Sequence, residues 1–470
     1  MARYYLKYNL YALLLNALAL GSIVMSSVDA LISYTLYNSK QAAILFIILS
    51  AAANLIGIFK EGWCFFIVPS VLTILFLLFA YCFNHWIFIS ICLILIFLHF
   101  YLIEFLPIYR FPRPTGKFSA GYKDVKDAGN LYSIYYPTNS PNNKRPRWMP
   151  DEACRRKYHE LVSGEDRSFP RWLFELLTGF FKSVPINASV DAKIASNAAK
   201  KFIPIFFSHG LGASRNNYST LFTELASRGY LVFTFEHFDG IYEVLYEKGD
   251  KSDERAYSDL RRRQEQIQSI ITKLMEPDFL ACLFGEKISV DFTRLVGIGH
   301  SFGGAAHYIF ATSGKCNLSD IIFLDAGFKK EGTDYLQAKL DSNLLIIESD
   351  SWNTKNPIMQ PTLKNRAIFN SQKGNGKVTI YSKVTGSDHV SFLDDVLLLG
   401  KPFAIKNVLS KLEHAEPLLL HHVQMVVNYL EIFVKGSADR TVQAQAENFR
   451  KLYEKDDKTY LEFQELTEKK

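Results

Sequence analysis

Charge is withheld from one end of this 470-residue chain: residues 1–108 hold four Lys/Arg and three Asp/Glu, against 49 and 44 in residues 109–470. Core helices of an ordinary globular domain keep a polar stripe for water, and the apolar runs here have none. A bilayer-crossing helix needs about 20 apolar residues. The runs predict four spans, near 9–28, 41–59, 62–83 and 86–107, with Asp29, Lys60-Glu61 and Asn84-His85 at their ends. Arg3, Lys7, Lys60, Arg110, Arg113 and Lys117 fall on one side and only Lys40 on the other, so both termini are expected in the cytosol. The short spans lean toward a thin endomembrane such as the endoplasmic reticulum. A lone carboxylate beside the boundary, Glu104, reads as solvated rather than as an ion path.

A net charge of +6 without a basic block points away from nucleic acid. Six single cysteines with no CxxC pair exclude zinc-finger spacing and a disulfide scaffold. No His/Cys/Asp cluster has ligand spacing, and His237 near Asp239 is too slight to predict a metal, so no metal and no cofactor are expected.

Beyond Pro107 strand and helix patterns alternate. Strands are predicted at 130–136, 202–208, 230–236, 294–299, 321–324, 343–348 and 377–384, and helices at 218–228, 252–274 and 303–313. Buried strands alternating with helices predict an α/β-hydrolase fold with a mostly parallel central sheet over 109–435, followed by a charged helical tail over 436–470.

The motif that carries chemistry is Gly299-His300-Ser301-Phe302-Gly303. GxSxG spacing alone is a weak signal, but here it lies between a buried strand and a helix, where a sharp turn exposes the serine hydroxyl. Ser301 needs a base, and His389 follows a strand in loop sequence, whereas His414, His421 and His422 lie in helical sequence and His307 in the helix after the turn. For the acid, Asp325 and Asp350 both end strands between Ser301 and His389, and chain order leaves them open; Asp388 adjoins the histidine too closely to orient it. The expected oxyanion donors are the backbone N–H groups of Phe302 and of Leu211, in the loop Ser208-His-Gly-Leu-Gly212; His209 reads as structural.

Ser208–Ala213 (SHGLGA), Phe235-Glu-His237 with Asp239, Gly299–Gly304 (GHSFGG), Leu324-Asp-Ala326 and Gly386-Ser-Asp-His389 together resemble the platelet-activating factor acetylhydrolases of the plasma and intracellular type II kind. Phe111–Gly116 and Leu131–Pro137 are similar to that family's leading segment, so the resemblance covers about 109–400. It implies a calcium-independent serine lipase acting on short or oxidised sn-2 acyl chains of phospholipids. Its nucleophile, acid and base fall on Ser301, Asp325 and His389, and its oxyanion donors on Leu211 and Phe302. Two departures stand out: Gly327 replaces the aromatic residue that often follows the Asp-Ala pair, and the apolar N-terminal region has no counterpart in the better-known members.

The expected activity is therefore that of a membrane-anchored ester hydrolase. Acyl transfer, another lipid ester, or a retired hydrolase serving as a membrane subunit are the competing readings. Arg171–Lys182 (RWLFELLTGFFK), apolar between basic residues, either dips into lipid headgroups or packs on its own domain.

Overall fold

The computed structural model describes residues 44, 48–49, 51–52, 68–83, 86–105, 111–127, 129–163, 170–178, 181–182, 184–239, 250–315, 317–329, 336–352, 360–398, 415–436 and 441–464. The chain divides into two compact units: Met1–Arg110 with Phe169–Val184 and Leu398–Leu412, and Phe111–Ser168 with Pro185–Leu397 and Glu413–Lys470.

The larger unit is built on one ten-stranded sheet. In chain order the strands are β1 (Ser119–Asp127), β2 (Asn130–Thr138), β3 (Ala188–Val190), β4 (Pro204–Ser208), β5 (Leu231–Phe235), β6 (Val296–His300), β7 (Asp320–Leu324), β8 (Asn343–Ser349), β9 (Thr379–Val384) and β10 (Thr459–Phe463). Their spatial order is β10-β9-β8-β7-β6-β4-β5-β2-β1-β3. The six from β5 to β9 are parallel neighbours, while β2 on β5, β1 on β2 and β10 on β9 are antiparallel. Strands β4 to β7 are five-residue segments buried throughout, as expected where helices cover both faces of a parallel sheet. The helix Asp250–Leu274 turns Ile267, Ile270, Ile271 and Leu274 into the core, at i, i+3, i+4 and i+7.

The chain leaves β4 for β5 on one side and returns to β6 on the other. In parallel sheets the carboxyl ends of such diverging strands open a crevice, so the loops after β4 and β6 share one site.

Of the expected spans, 9–28 lies outside the described residues and 41–59 almost wholly so. The other two regions hold helices Val68–Phe83, of 16 residues, and Trp86–Phe105, of 20, in which side chains are described only in part. Among the described residues no helix is long and apolar enough to cross a membrane, so the four-span region is not carried by the structure. Both helices nonetheless expose large apolar side chains, among them Leu75, Leu78, Ile94 and Phe97. In Arg171–Lys182, helix Arg171–Thr178 buries Phe174 and exposes Trp172, and Phe181 is fully buried. This segment is therefore not apolar toward solvent on all sides.

The expected helical tail needs correction. Helix Val442–Tyr453 is followed by β10, which pairs with edge strand β9 from Thr459↔Val384 to Phe463↔Ile380. A five-residue segment, Thr-Tyr-Leu-Glu-Phe, becomes a strand only where an edge offers partners, and helical periodicity upstream masks it.

Candidate active site

β6 ends at His300, and the helix Phe302–Thr312 begins one residue after Ser301. Reversing direction in a single residue forces Ser301 to φ 53°, ψ −121°. Four non-glycine residues have positive φ among the described residues, and two of them are Ser301 and Asp325. Such conformations cost about 1–3 kcal/mol and persist where surrounding contacts impose them. Here Ser301 N–H donates to the Leu324 carbonyl at 2.9 Å, and its own carbonyl accepts from Gly304 and Gly327 N–H, both at 2.9 Å. The tight turn needs Gly303: a Cβ there would lie 1.9 Å from the Ser208 carbonyl oxygen.

The structure brings Ser301, His389 and Asp325 together in one hydrogen-bonded row. His389 Nε2 is 3.0 Å from Ser301 Oγ, and His389 Nδ1 is 3.1 Å from Asp325 Oδ2. A carboxylate only accepts, so Nδ1 carries the proton and Nε2 is left to accept from the serine. Asp325 is fully buried and also receives both the N–H and the hydroxyl of Ser349. Burial pushes its carboxyl up to about 7, against the two Ser349 hydrogen bonds that pull it down. Asp350, the other acid that chain order left open, instead accepts Gly386 N–H at 3.2 Å and pairs with Lys383 at 3.2 Å. Asp388 caps the short 3-10 turn His389–Phe392 through the His389 N–H.

The loop after β4 is held by buried polar side chains. His209 Nε2 accepts the His237 N–H at 3.1 Å, so Nδ1 carries the proton and donates to the Gly210 carbonyl at 2.7 Å. Gly210 N–H donates to the Tyr218 hydroxyl at 3.2 Å, which donates to His300 Nδ1 at 2.7 Å. Both polar groups of Gly210 are thus committed. In a trans peptide the next N–H points opposite to the carbonyl, so Leu211 N–H faces away from His209. A Cβ on Gly210 would lie 3.3 Å from Ser301 Cβ, which puts this loop against the serine. Phe302 N–H, at the first turn of its helix, is one of the donors left without an intrahelical acceptor.

Behind the loop, Arg263 donates to the His209 carbonyl and to Ser208 Oγ while pairing with Asp239. His237 bridges Ser208 Oγ at 2.9 Å and Gln266 at 2.6 Å, so the His237–Asp239 pair is a buttress. Burial, reinforced by nearby positive charge, pushes both His209 and His237 well below the usual histidine range, so both stay neutral. Among the described residues no group of His, Cys, Asp or Glu is disposed to hold a metal ion.

Two further residues complete the surroundings. His300 Nε2 donates to the His389 carbonyl at 3.0 Å, tying the His389 loop through Tyr218 to the Gly210 loop. Trp352 stacks flat on His389, ring centroids 3.4 Å apart and planes 3° from parallel. His300 lies inside the recognisable motif; Tyr218 and Trp352 had no local signal. Of the other histidines, His307 is buried in its helix, His421 bonds Thr459, His422 stacks on Phe392, and His414 lies outside the described residues.

The family model "Platelet-activating factor acetylhydrolase, isoform II" matches residues 104–276, which include the Gly210 loop and end before Ser301. Platelet-activating factor acetylhydrolase of Cavia porcellus is 28% identical over 62% of this chain and 70% of its own. The protein of that name from Gallus gallus is 26% identical over 71% and 86%. A putative phospholipase A2 of Schizosaccharomyces pombe is 27% identical over 28% of this chain and 33% of its own. Among solved structures, a ferulic acid esterase from Streptomyces cinnamoneus superposes with a TM-score of 0.50 at 17% identity, over 76% of this chain and all of that one, a likeness of fold alone. The sequence relatives mark the chain as a carboxylic ester hydrolase related to the platelet-activating factor acetylhydrolases.

Proposed function

We propose that the chain is a membrane-associated serine hydrolase that removes short or oxidised sn-2 acyl groups from phospholipids. The observation that carries this reading is the continuous row Ser301–His389–Asp325 at a positive-φ turn. Ser301 Oγ attacks the ester carbonyl carbon while its proton passes to His389 Nε2. Asp325 holds the ring in the tautomer this requires and stabilises the imidazolium. The carbonyl π pair moves onto oxygen, where Leu211 and Phe302 N–H groups meet the developing charge. The tetrahedral centre then collapses, the bond to the lysophospholipid oxygen breaks, and His389 returns the proton to that oxygen. Water repeats the sequence on the acyl-enzyme.

The lipid environment is supported by two observations. Residues 1–108 are nearly free of charge, and the helices Val68–Phe83 and Trp86–Phe105 turn apolar side chains outward, with Phe97 76% exposed. Large apolar side chains exposed in such number on two helices fit a membrane or protein contact. An anchor of four spans with the catalytic unit on the cytosolic side accounts for it, and would raise the local concentration of substrate around the site.

Fluorophosphonate labelling and acyl release from phospholipids of graded sn-2 chain length test the reading together. Wild-type protein should label and release short chains, and Ser301→Ala should do neither. A folded wild-type protein that takes no label is instead a non-catalytic subunit. Extraction at high pH and protease protection in sealed vesicles test the anchor and its orientation.

A further inference from the structure

The stack of Trp352 on His389 is unusual in its geometry. Neutral aromatic pairs avoid the eclipsed face-to-face sandwich, because the two negative faces repel, and settle into offset or edge-on arrangements. Here the planes differ by 3° and the centroids are 3.4 Å apart, leaving almost no room for an offset. That geometry becomes attractive when one ring is a cation, since the indole face is the best of the side-chain π surfaces for holding positive charge. His389 is the one ring of the site that would become cationic, when it takes the Ser301 proton.

We infer that Trp352 is a positioning residue for ester hydrolysis, its indole face holding the His389 imidazole between Asp325 and Ser301 and favouring the imidazolium over the neutral ring. The inference rests on the serine-hydrolase reading above. Trp352 is buried, its Nε1 makes no hydrogen bond among the described residues, and it meets His389 through its ring face. Gly327 makes room for it. A Cβ at Gly327 would lie 3.5 Å from Trp352 Cζ2 and 3.4 Å from Ser301 Oγ, so a larger side chain would contest the space beside the serine.

Among the described residues, the titratable groups beside His389 include Asp325 from the end of β7 and His300 from the end of β6, which meet its ring, and Asp388, which accepts its backbone N–H. Lys383 and Glu348 act on it through Asp325. His300 stays neutral because burial, with His389 beside it, holds it well below the usual range.

The two explanations of the stack predict opposite signs. Were Trp352 only packing, its loss would admit water to His389 and raise the kinetic pKa of the base, since burial opposes the charged ring. If the indole face stabilises the imidazolium, its loss lowers that pKa. The test compares full-length wild type, Trp352→Phe and Trp352→Leu, following the pH dependence of fluorophosphonate inactivation and of hydrolysis of a soluble acetate ester. Trp352→Leu should lower the kinetic pKa by about one unit. It should also reduce kcat about tenfold with little change in KM. Trp352→Phe, a weaker π face, should fall between, and carries the test alone if the leucine variant does not fold. A kinetic pKa that rises or stays put, or an effect confined to KM, overturns the inference. Hydrolysis undiminished in Ser301→Ala would overturn the underlying reading instead.

Discussion

His209 and Gly210 are joined by a 2.7 Å hydrogen bond from the imidazole Nδ1 to the carbonyl of the next residue. Because that carbonyl is held back, the Leu211 N–H behind the same planar peptide is turned the other way. His209→Ala frees the peptide to rotate. It should lower kcat by about 10- to 100-fold, approaching the loss expected for removing an oxyanion donor, with KM little changed. It also leaves the buried His237 N–H without an acceptor, so melting temperature must be followed beside the kinetics.

Gly303 and Gly327 are expected to respond differently to alanine. At Gly303 the new Cβ would meet the Ser208 carbonyl oxygen at 1.9 Å, and backbone cannot yield. Gly303→Ala should destabilise the fold by several kcal/mol, at about the upper end of single substitutions, as read by denaturant unfolding. At Gly327 the contacts are ordinary, 3.4 Å or more. Gly327→Ala should keep the fold and the fluorophosphonate reaction, but lose activity on long acyl chains more than on acetyl.

Acid should weaken the larger unit partly through His422. Burial lowers its pKa from 6.5 to about 3, with the neighbouring His421 adding to the effect. A folded-state pKa below the unfolded value means the unfolded chain binds the extra proton. The stability is therefore present above pH 6.5 and lost progressively as the pH falls toward about 3. By pH 4.5 this group alone should account for about 2–3 kcal/mol. His422→Phe, which preserves the stack on Phe392, should flatten the dependence of urea-unfolding stability on pH across that window; an unchanged slope contradicts the assignment.

Trp172 and Phe181 separate surface from core in the Arg171–Lys182 segment. Trp172 is 70% exposed and Phe181 fully buried. Trp172→Asp should reduce hydrolysis of vesicle lipid while sparing a soluble ester, because it removes an aromatic that can sit among headgroups. Phe181→Asp should lower stability and both activities together, since it puts a carboxylate into a packed interior.

Much of the catalytic unit was legible in the chain. A continuous apolar run such as Pro204–Phe207 is what a strand covered on both faces requires, and Gly299-His-Ser-Phe-Gly303 states its turn in the residues themselves. Chain order narrowed the acid to Asp325 or Asp350 and could go no further. Both end parallel strands, and only the packing of β7 and β8 shows that Asp325 faces His389 while Asp350 faces Gly386.

Local pattern determined the α/β alternation, the serine turn, the loop position of His389 and the uncharged N-terminal region, because each depends on spacing between near neighbours. The tertiary structure decided what depends on contacts between distant segments: β10 on β9, Tyr218 and His300 tying two loops, and Trp352 lying on His389. A side chain writes its own helix or strand preference into the chain, but not which face another element will bring against it.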